Sequence, residues 1–71
     1  MPSETYEIAP GQSADGTKWW AVTAYDATGT CLGGDAHWLR EDLAIRVKGA
    51  YERGEIRHGD TAAALAYNEG H

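Results

Sequence analysis

The first half of the chain alternates apolar and polar residues with the period of a β-strand. Successive side chains on a strand point to opposite faces, so a period of two marks a strand with one buried face. Residues 5–9, 18–26 and 30–34 follow this period. The segments between them, PGQSADGT and DATG, are rich in turn-forming residues. The pattern predicts a three-stranded antiparallel β-meander.

After residue 35 the apolar positions recur every three to four residues, which is typical of an amphipathic helix. Asp35 suits the N-cap of a helix that begins near Ala36, and Gly54 suits its C-cap after Arg53. The predicted apolar face of this helix consists of Ala36, Leu39, Leu43, Ala44, Val47, Ala50 and Tyr51.

The C-terminal segment predicts a short second helix. Asp60 or Thr61 can cap it, and AAALAYN has good helix propensity. A fourth strand through residues 64–67 is the alternative. The whole chain, residues 1–71, is then one α+β domain: a β-meander packed against one main helix, with a short C-terminal helix.

The adjacent tryptophans of the second predicted strand must lie on opposite faces of the sheet. Trp20 shares its face with the apolar Val22 and Ala24, so we expect it in the core beneath the main helix. Trp19 shares the other face with Tyr25, and an antiparallel sheet can leave such a face open to solvent. In the alternative interpretation the C-terminal helix covers Trp19.

The main helix carries a second apolar pair away from its predicted buried face. Trp38 and Ile45 are two turns apart, and the surrounding residues Lys48 and Glu52 are charged. An apolar pair inside a charged rim is typical of an interface. The alternative is that Trp38 folds back over the start of the helix as a hydrophobic cap.

The charge of the chain indicates the kind of partner. The net charge is −5, and residues 1–35 carry five acidic residues against one basic residue, Lys18. Direct binding of nucleic acid requires a basic surface, so we expect no such contact. No segment resembles a secretory signal or a membrane span, and the single Cys31 excludes an internal disulfide. These features predict a cytoplasmic protein with a buried thiol and no membrane contact.

Candidate chemistry is sparse. The residues that could bind a metal, His37, His58, His71 and Cys31, lack the paired spacing of a metal site. Glu41 and Asp42 point about 100° apart on a helix and so do not converge on one atom. A chain of this size also leaves little room for a pocket of about 300 Å³. We therefore expect no catalytic residues, no metal and no cofactor.

The predicted layout of three strands and a helix, with YEI in the first strand and an aromatic second strand, is similar to small bacterial and phage domains. A short, acidic, cytoplasmic domain without catalytic motifs also resembles phage-encoded anti-CRISPR proteins. The resemblance implies an inhibitor that occludes a surface of a host nucleoprotein complex. It carries over no functional residue.

The expected function is therefore a non-catalytic, protein-binding inhibitor. The alternative is a structural homodimer or assembly module, and a third possibility is a small nucleic-acid or metabolite binder. We assign the sheet face that carries Trp19 and Tyr25, with its acidic rim, to a basic foreign partner. We assign the surface formed by Trp38 and Ile45, which we call the helix line, to self-association. The expected partner-binding residues are Glu7, Trp19, Tyr25, Asp26, Trp38 and Ile45.

Overall fold

A computed structural model describes residues 4–34 and 36–69, and in these ranges it contains one three-stranded sheet and two helices. The strands are antiparallel and adjacent in chain order, which confirms the predicted α+β fold. Within the described ranges, neither helix has the length and apolar character needed to span a membrane. The elements are β1 (Thr5–Gln12), β2 (Lys18–Tyr25), β3 (Cys31–Gly34), α1 (Glu41–Arg53) and α2 (Thr61–Asn68).

The first strand is longer than its predicted range of residues 5–9. The Ser13 amide donates to the Thr17 carbonyl at 2.8 Å, directly beyond the Gln12–Lys18 pair. Because hydrogen-bonded pairs alternate along an antiparallel ladder, Pro10 belongs to the residues whose backbone points away from β2. Its missing N–H therefore removes no bond between β1 and β2, and the strand continues past it.

The core lies between the sheet and α1. On β2, Val22 and Ala24 are fully buried, and Trp20 packs against the same cluster while remaining partly exposed. The predicted position of Trp20 is therefore confirmed. The helices contribute the buried residues Ala44, Val47, Tyr51 and Ala64 to this cluster.

The main helix begins at Glu41, five residues later than predicted. Before it, Trp38 lies on extended backbone and exchanges two hydrogen bonds with Trp20, at 2.7 and 2.8 Å. A residue paired in this way cannot belong to a helix. Arg40 occupies the N-cap position without a side-chain hydrogen bond, and the predicted cap, Asp35, lies outside the described residues.

Two burial predictions at this junction are wrong for the same reason. Trp38 is only 5% exposed and belongs to the core, whereas Leu39 is 67% exposed. On extended backbone, neighbouring side chains point to opposite sides, so the pairing with Trp20 directs Trp38 inward and Leu39 outward. The alternative prediction, in which Trp38 folds back over the start of the helix as a hydrophobic cap, agrees with the burial of Trp38 but not with its backbone, which pairs with Trp20. Val47 and Ala50 of the predicted apolar face are buried.

The C-terminal segment forms α2, and the strand alternative for residues 64–67 is wrong. The Asp60 carboxylate accepts a hydrogen bond from the Ala63 amide at 3.1 Å, which confirms Asp60 as the cap.

The second helix packs against the first. The buried Asn68 side chain donates to the Leu43 carbonyl at 3.2 Å and accepts from Arg46 at 3.3 Å. The elements that α2 contacts in the described structure do not include the sheet. The alternative in which this helix covers Trp19 is therefore wrong.

The thiol of Cys31 is exposed, contrary to the prediction of a buried thiol. Cys31 pairs with Tyr25 at the start of the short outer strand β3. Its side chain therefore lies on the same face as Tyr25, which no helix covers in the described ranges, and this explains the exposure.

Candidate functional site

Within the part of the chain that the structure describes, the sheet has one face without a helix, which we call the open face. Side chains directly opposite each other on neighbouring strands share a face. The register pairs Glu7 with Thr23 and Ala9 with Ala21, so these residues lie opposite the core face of Val22. The open face is defined here as Glu7, Ala9, Trp19, Ala21, Thr23 and Tyr25.

Trp19 is held at one end of the open face by two neighbours. Its indole leans over Gly11, its cross-strand partner, which has no side chain to block the ring. The same indole stacks on the exposed His37 ring, with centroids 3.9 Å apart and an angle of 8° between the planes. The sequence prediction missed both neighbours. The contact with Gly11 could have been predicted from the register of the β1–β2 hairpin. The contact with His37 could not, because His37 was assigned to the predicted helix.

Two aromatic residues lie at opposite ends of the open face, with small residues between them. Trp19 and Tyr25 lie at opposite ends of β2, about 20 Å apart at the usual rise of a strand. The residues between them, Ala9, Ala21 and Thr23, are small, and Ala21 is only 5% exposed. Of the predicted binding residues, the structure thus places Glu7, Trp19 and Tyr25 on one surface.

Glu7 differs from Asp42, Glu52 and Glu55 of the helical half, residues 36–69, each of which forms an ion pair. The Glu7 side chain is exposed on the open face, and its carboxylate has no hydrogen-bond or ion-pair partner within residues 4–34 and 36–69. In the same ranges, every ion pair joins two residues of the helical half. These pairs are Arg40–Asp42 at 2.5 Å, Lys48–Glu52 at 2.7 Å, and Arg53–Glu55. The negative charge of the sheet half is therefore left unneutralised.

Asp26 has a local role in the turn that follows β2. Its carboxylate accepts hydrogen bonds from the Thr28 hydroxyl at 2.7 Å, the Thr28 amide at 2.9 Å and the Thr30 amide at 3.0 Å. The Thr28 hydroxyl, followed by the Thr30 amide, holds the pKa of Asp26 below its usual value. Asp26 thus contributes a fixed negative charge beside Tyr25, while its Oδ1 atom stabilises the turn by accepting all three hydrogen bonds.

The structure does not bring the predicted helix pair together. Trp38 is in the core and cannot contact a partner, whereas Ile45 on α1 is 55% exposed. Ile45 lines a groove of about 390 Å³ that also includes Gly49 and Tyr67. Lys48 and Glu52 of the charged rim already form an ion pair with each other within the chain. Of the two residues expected to contact a partner from this helix, Ile45 is exposed and Trp38 is not.

A larger groove corrects the expectation that the chain leaves little room for a pocket. It has a volume of about 660 Å³ and lies beside the C-terminal end of α1. Its aromatic residues Tyr6, Tyr51 and His58 contact one another, with ring centroids 5.1–5.8 Å apart. In the described ranges, no three metal-ligating side chains converge in this groove or elsewhere.

Two polar atoms of this aromatic cluster have hydrogen-bond partners within the chain. His58 Nε2 lies 3.0 Å from the Val22 carbonyl, so this nitrogen carries the proton and donates. The Tyr6 hydroxyl donates to Glu4 at 2.8 Å. Burial, followed by the neighbouring Glu4 carboxylate, raises the pKa of Tyr6 to about 12. The cluster therefore stabilises the fold, and the open face is the stronger candidate site.

Comparisons with protein-family models, with curated proteins and with solved structures give no match to this chain.

Proposed function

We propose that this domain is a non-catalytic, protein-binding inhibitor that places its open face on a basic, nucleic-acid-binding surface of another protein. The observation that carries the proposal is the unpartnered carboxylate of Glu7 on an exposed face bounded by Trp19 and Tyr25. Basic surfaces that bind nucleic acid present the complementary charge.

Electrostatic attraction would act first. The described sheet half, residues 4–34, carries four acidic residues and the single base Lys18. An excess of one charge accelerates association with an oppositely charged surface, and this attraction weakens as salt is added. Glu7 is available for a partner Lys or Arg without first giving up a partner of its own.

The aromatic side chains would then anchor the complex. Tryptophan and tyrosine contribute large contact areas at protein interfaces, and partly exposed ones suit a docking surface. The stack with His37 fixes the orientation of the Trp19 ring before a partner arrives. An ordered anchor loses less conformational entropy on binding than a mobile one. The small residues between Trp19 and Tyr25 leave space for a protruding Arg or Lys side chain.

The finer hypothesis is that the partner is a CRISPR–Cas effector complex in a bacterial cytoplasm, and that the domain prevents nucleic acid from reaching it. The format of the chain, one short acidic domain without a recognisable catalytic motif, supports this hypothesis. An acidic face of this kind competes for the same basic groups that hold nucleic acid.

The test is inhibition of target-DNA binding by a panel of purified effector complexes, measured by fluorescence anisotropy at low and high salt. We expect inhibition of at least one complex, weaker at high salt. Glu7→Lys should abolish the inhibition. The matched control is Glu69→Lys, which makes the same charge change at an exposed position of the helical half. Equal inhibition by both variants would contradict docking through the open face.

The rival function, a structural homodimer, is tested with the same proteins. Sedimentation should detect a monomer over the concentrations used for inhibition. Ile45→Ala, on the helix line, should leave both the mass and the inhibition unchanged. A dimer that Ile45→Ala dissociates, in a protein that inhibits no complex, would favour the homodimer.

A further inference from the structure

The outer edge of β1 presents backbone groups that have no partner strand. The Ser13–Thr17 bond and the register direct the odd-numbered residues of β1 toward β2. Tyr6 and Ile8 therefore point their N–H and C=O groups outward. No hydrogen bond to these outward groups occurs within the described ranges, and β1 is the last strand on its side of the sheet.

On the other side of β2, by contrast, the backbone groups have hydrogen-bond partners. Strand β3 pairs with one end of β2, and Trp38 pairs with Trp20 nearer the other end. Between these two pairings the Val22 carbonyl accepts a hydrogen bond from His58 at 3.0 Å. The chain thus uses a strand, an isolated bridge and a side chain to satisfy one side of the sheet, while it leaves the edge of β1 unpaired.

We propose that the outer edge of β1 takes up an extended, basic segment of a partner protein as a fourth strand. This proposal rests on the proposed function, since the added strand would extend the open face of the same partner contact. Main-chain hydrogen bonds supply affinity in this mode of binding, and alternate side chains supply specificity. One set of partner side chains would lie beside Glu7, which selects Lys or Arg.

The length of the paired segment follows from the sequence of β1. Pro10 has no N–H to donate, so it ends the stretch that can form a regular ladder. Pairing is thus centred on Tyr6 and Ile8. The second set of partner side chains would point toward the helical layer, where Glu4 and Tyr6 line the groove of about 660 Å³. This groove has mixed charge, since Arg53 and Arg57 line it as well, so the preference for a basic segment comes from Glu7 on the open face.

A second copy of β1 fits this edge poorly. In the symmetric antiparallel register that uses the outward groups of both Tyr6 and Ile8, Tyr6 pairs with Ile8 of the other copy. Glu7 then lies directly opposite Glu7 of the other copy, at the closely spaced, non-hydrogen-bonded position. Like charges in that arrangement destabilise the pair. The charge of the edge therefore favours a basic foreign segment.

The experiment uses a synthetic seven-residue peptide that alternates Lys with Val and Thr, and a control peptide with Glu in place of Lys. NMR hydrogen exchange on the full chain reports each amide. We expect the Lys peptide to slow exchange at Tyr6 and Ile8, relative to the Val47 amide of α1. The Glu peptide should leave these rates unchanged.

A backbone modification separates edge pairing from contact with the open face. The chain is synthesised in two parts joined at Cys31, with N-methylation at Ile8 or, as the matched control, at Gln12, whose N–H also points outward but lies beyond Pro10. N-methyl-Ile8 should weaken peptide binding at least about tenfold, since a backbone bond is lost and the edge is blocked. N-methyl-Gln12 should bind as the unmodified chain does.

Three results would overturn the proposal. The Lys peptide fails to bind, or it binds without slowing exchange at Tyr6 and Ile8, or the protein alone protects these amides as it dimerises. In the first two cases the inhibition test with Glu7→Lys still decides the proposed function separately. In the third case the occupant of the edge is a second copy.

Discussion

The covered face and the open face of the sheet each carry a tryptophan of β2, but the two side chains meet different surroundings. Trp20 packs against a cluster that includes the fully buried Val22 and Val47. Trp19 contacts the backbone of Gly11 and the ring of an exposed histidine, His37. A helix covers one face of the sheet, whereas on the open face the Trp19 ring covers only its own end.

This difference separates residues needed for stability from residues available for binding. A small domain has a marginal free energy of unfolding, so the loss of one large core side chain removes much of it. The open face contributes little to the cluster that holds the sheet on α1. Its aromatic side chains and Glu7 can therefore be changed while the domain stays folded, as a binding surface requires.

The largest expected effect on stability is at Trp38. This residue lies outside the three strands, but its side chain packs in the core on the covered face. Trp38→Ala should lower the free energy of unfolding by about 3–5 kcal/mol because it leaves a cavity in the core. The matched control is the neighbouring Leu39→Ala, at an exposed position, which should stay within about 0.5 kcal/mol of the natural protein. Urea unfolding measures both, and similar losses would mean that Trp38 is not a core residue.

The next effect compares the two adjacent tryptophans. Trp20→Ala should cost about 3 kcal/mol, since Trp20 is a partly exposed member of the core. Trp19→Ala should cost about 1 kcal/mol, mainly the stack with His37. Thermal unfolding followed by circular dichroism measures both. A greater loss for Trp19→Ala would reverse the assignment of the two faces.

Features encoded by local alternation could be predicted from the sequence. The three strands, the opposite directions of Trp19 and Trp20, and the cap of α2 at Asp60 each depend on residues close together in the chain. They are confirmed because period-two patterns and capping geometry are local properties.

The start of α1 could not be predicted in this way. Residues 36–40 are compatible with a helix, and nothing in their spacing reveals that Trp38 pairs with Trp20 on a distant strand. This long-range bridge overrides the helical pattern, buries Trp38 and places His37 on Trp19. As a result, one predicted binding residue moves into the core, and one unpredicted residue joins the candidate site.

A smaller effect distinguishes the histidines of the two faces. His58→Ala should cost about 1–2 kcal/mol, because the Val22 carbonyl loses its donor. His37→Ala, on the open face, should cost about 0.5 kcal/mol, since only an exposed stacking partner of Trp19 is lost. Urea unfolding again measures both changes. Equal losses would show that the bond between His58 and Val22 contributes nothing to closing the covered face.

The last effect is a pH dependence from the covered side of β1. The pKa of Tyr6 is raised to about 12 by burial and by Glu4, against 10.0 for an unperturbed tyrosine. As the pH rises from 10 toward 12, the unfolded chain loses this proton while the folded chain keeps it, so the free energy of unfolding falls. Below pH 10 both states are protonated, and the contribution is fully present.

Urea unfolding at a series of pH values should show this decline more steeply in the natural protein than in Tyr6→Phe, which has no proton to lose. Glu4→Gln removes the neighbouring charge, so it should lower the pKa of Tyr6 and make the decline shallower. The phenolate absorbance that Tyr6→Phe removes gives this pKa directly. If that absorbance titrates near pH 10 in the folded protein, Tyr6 is solvated like an unperturbed tyrosine. The helical layer would then not cover the sheet as far as Tyr6.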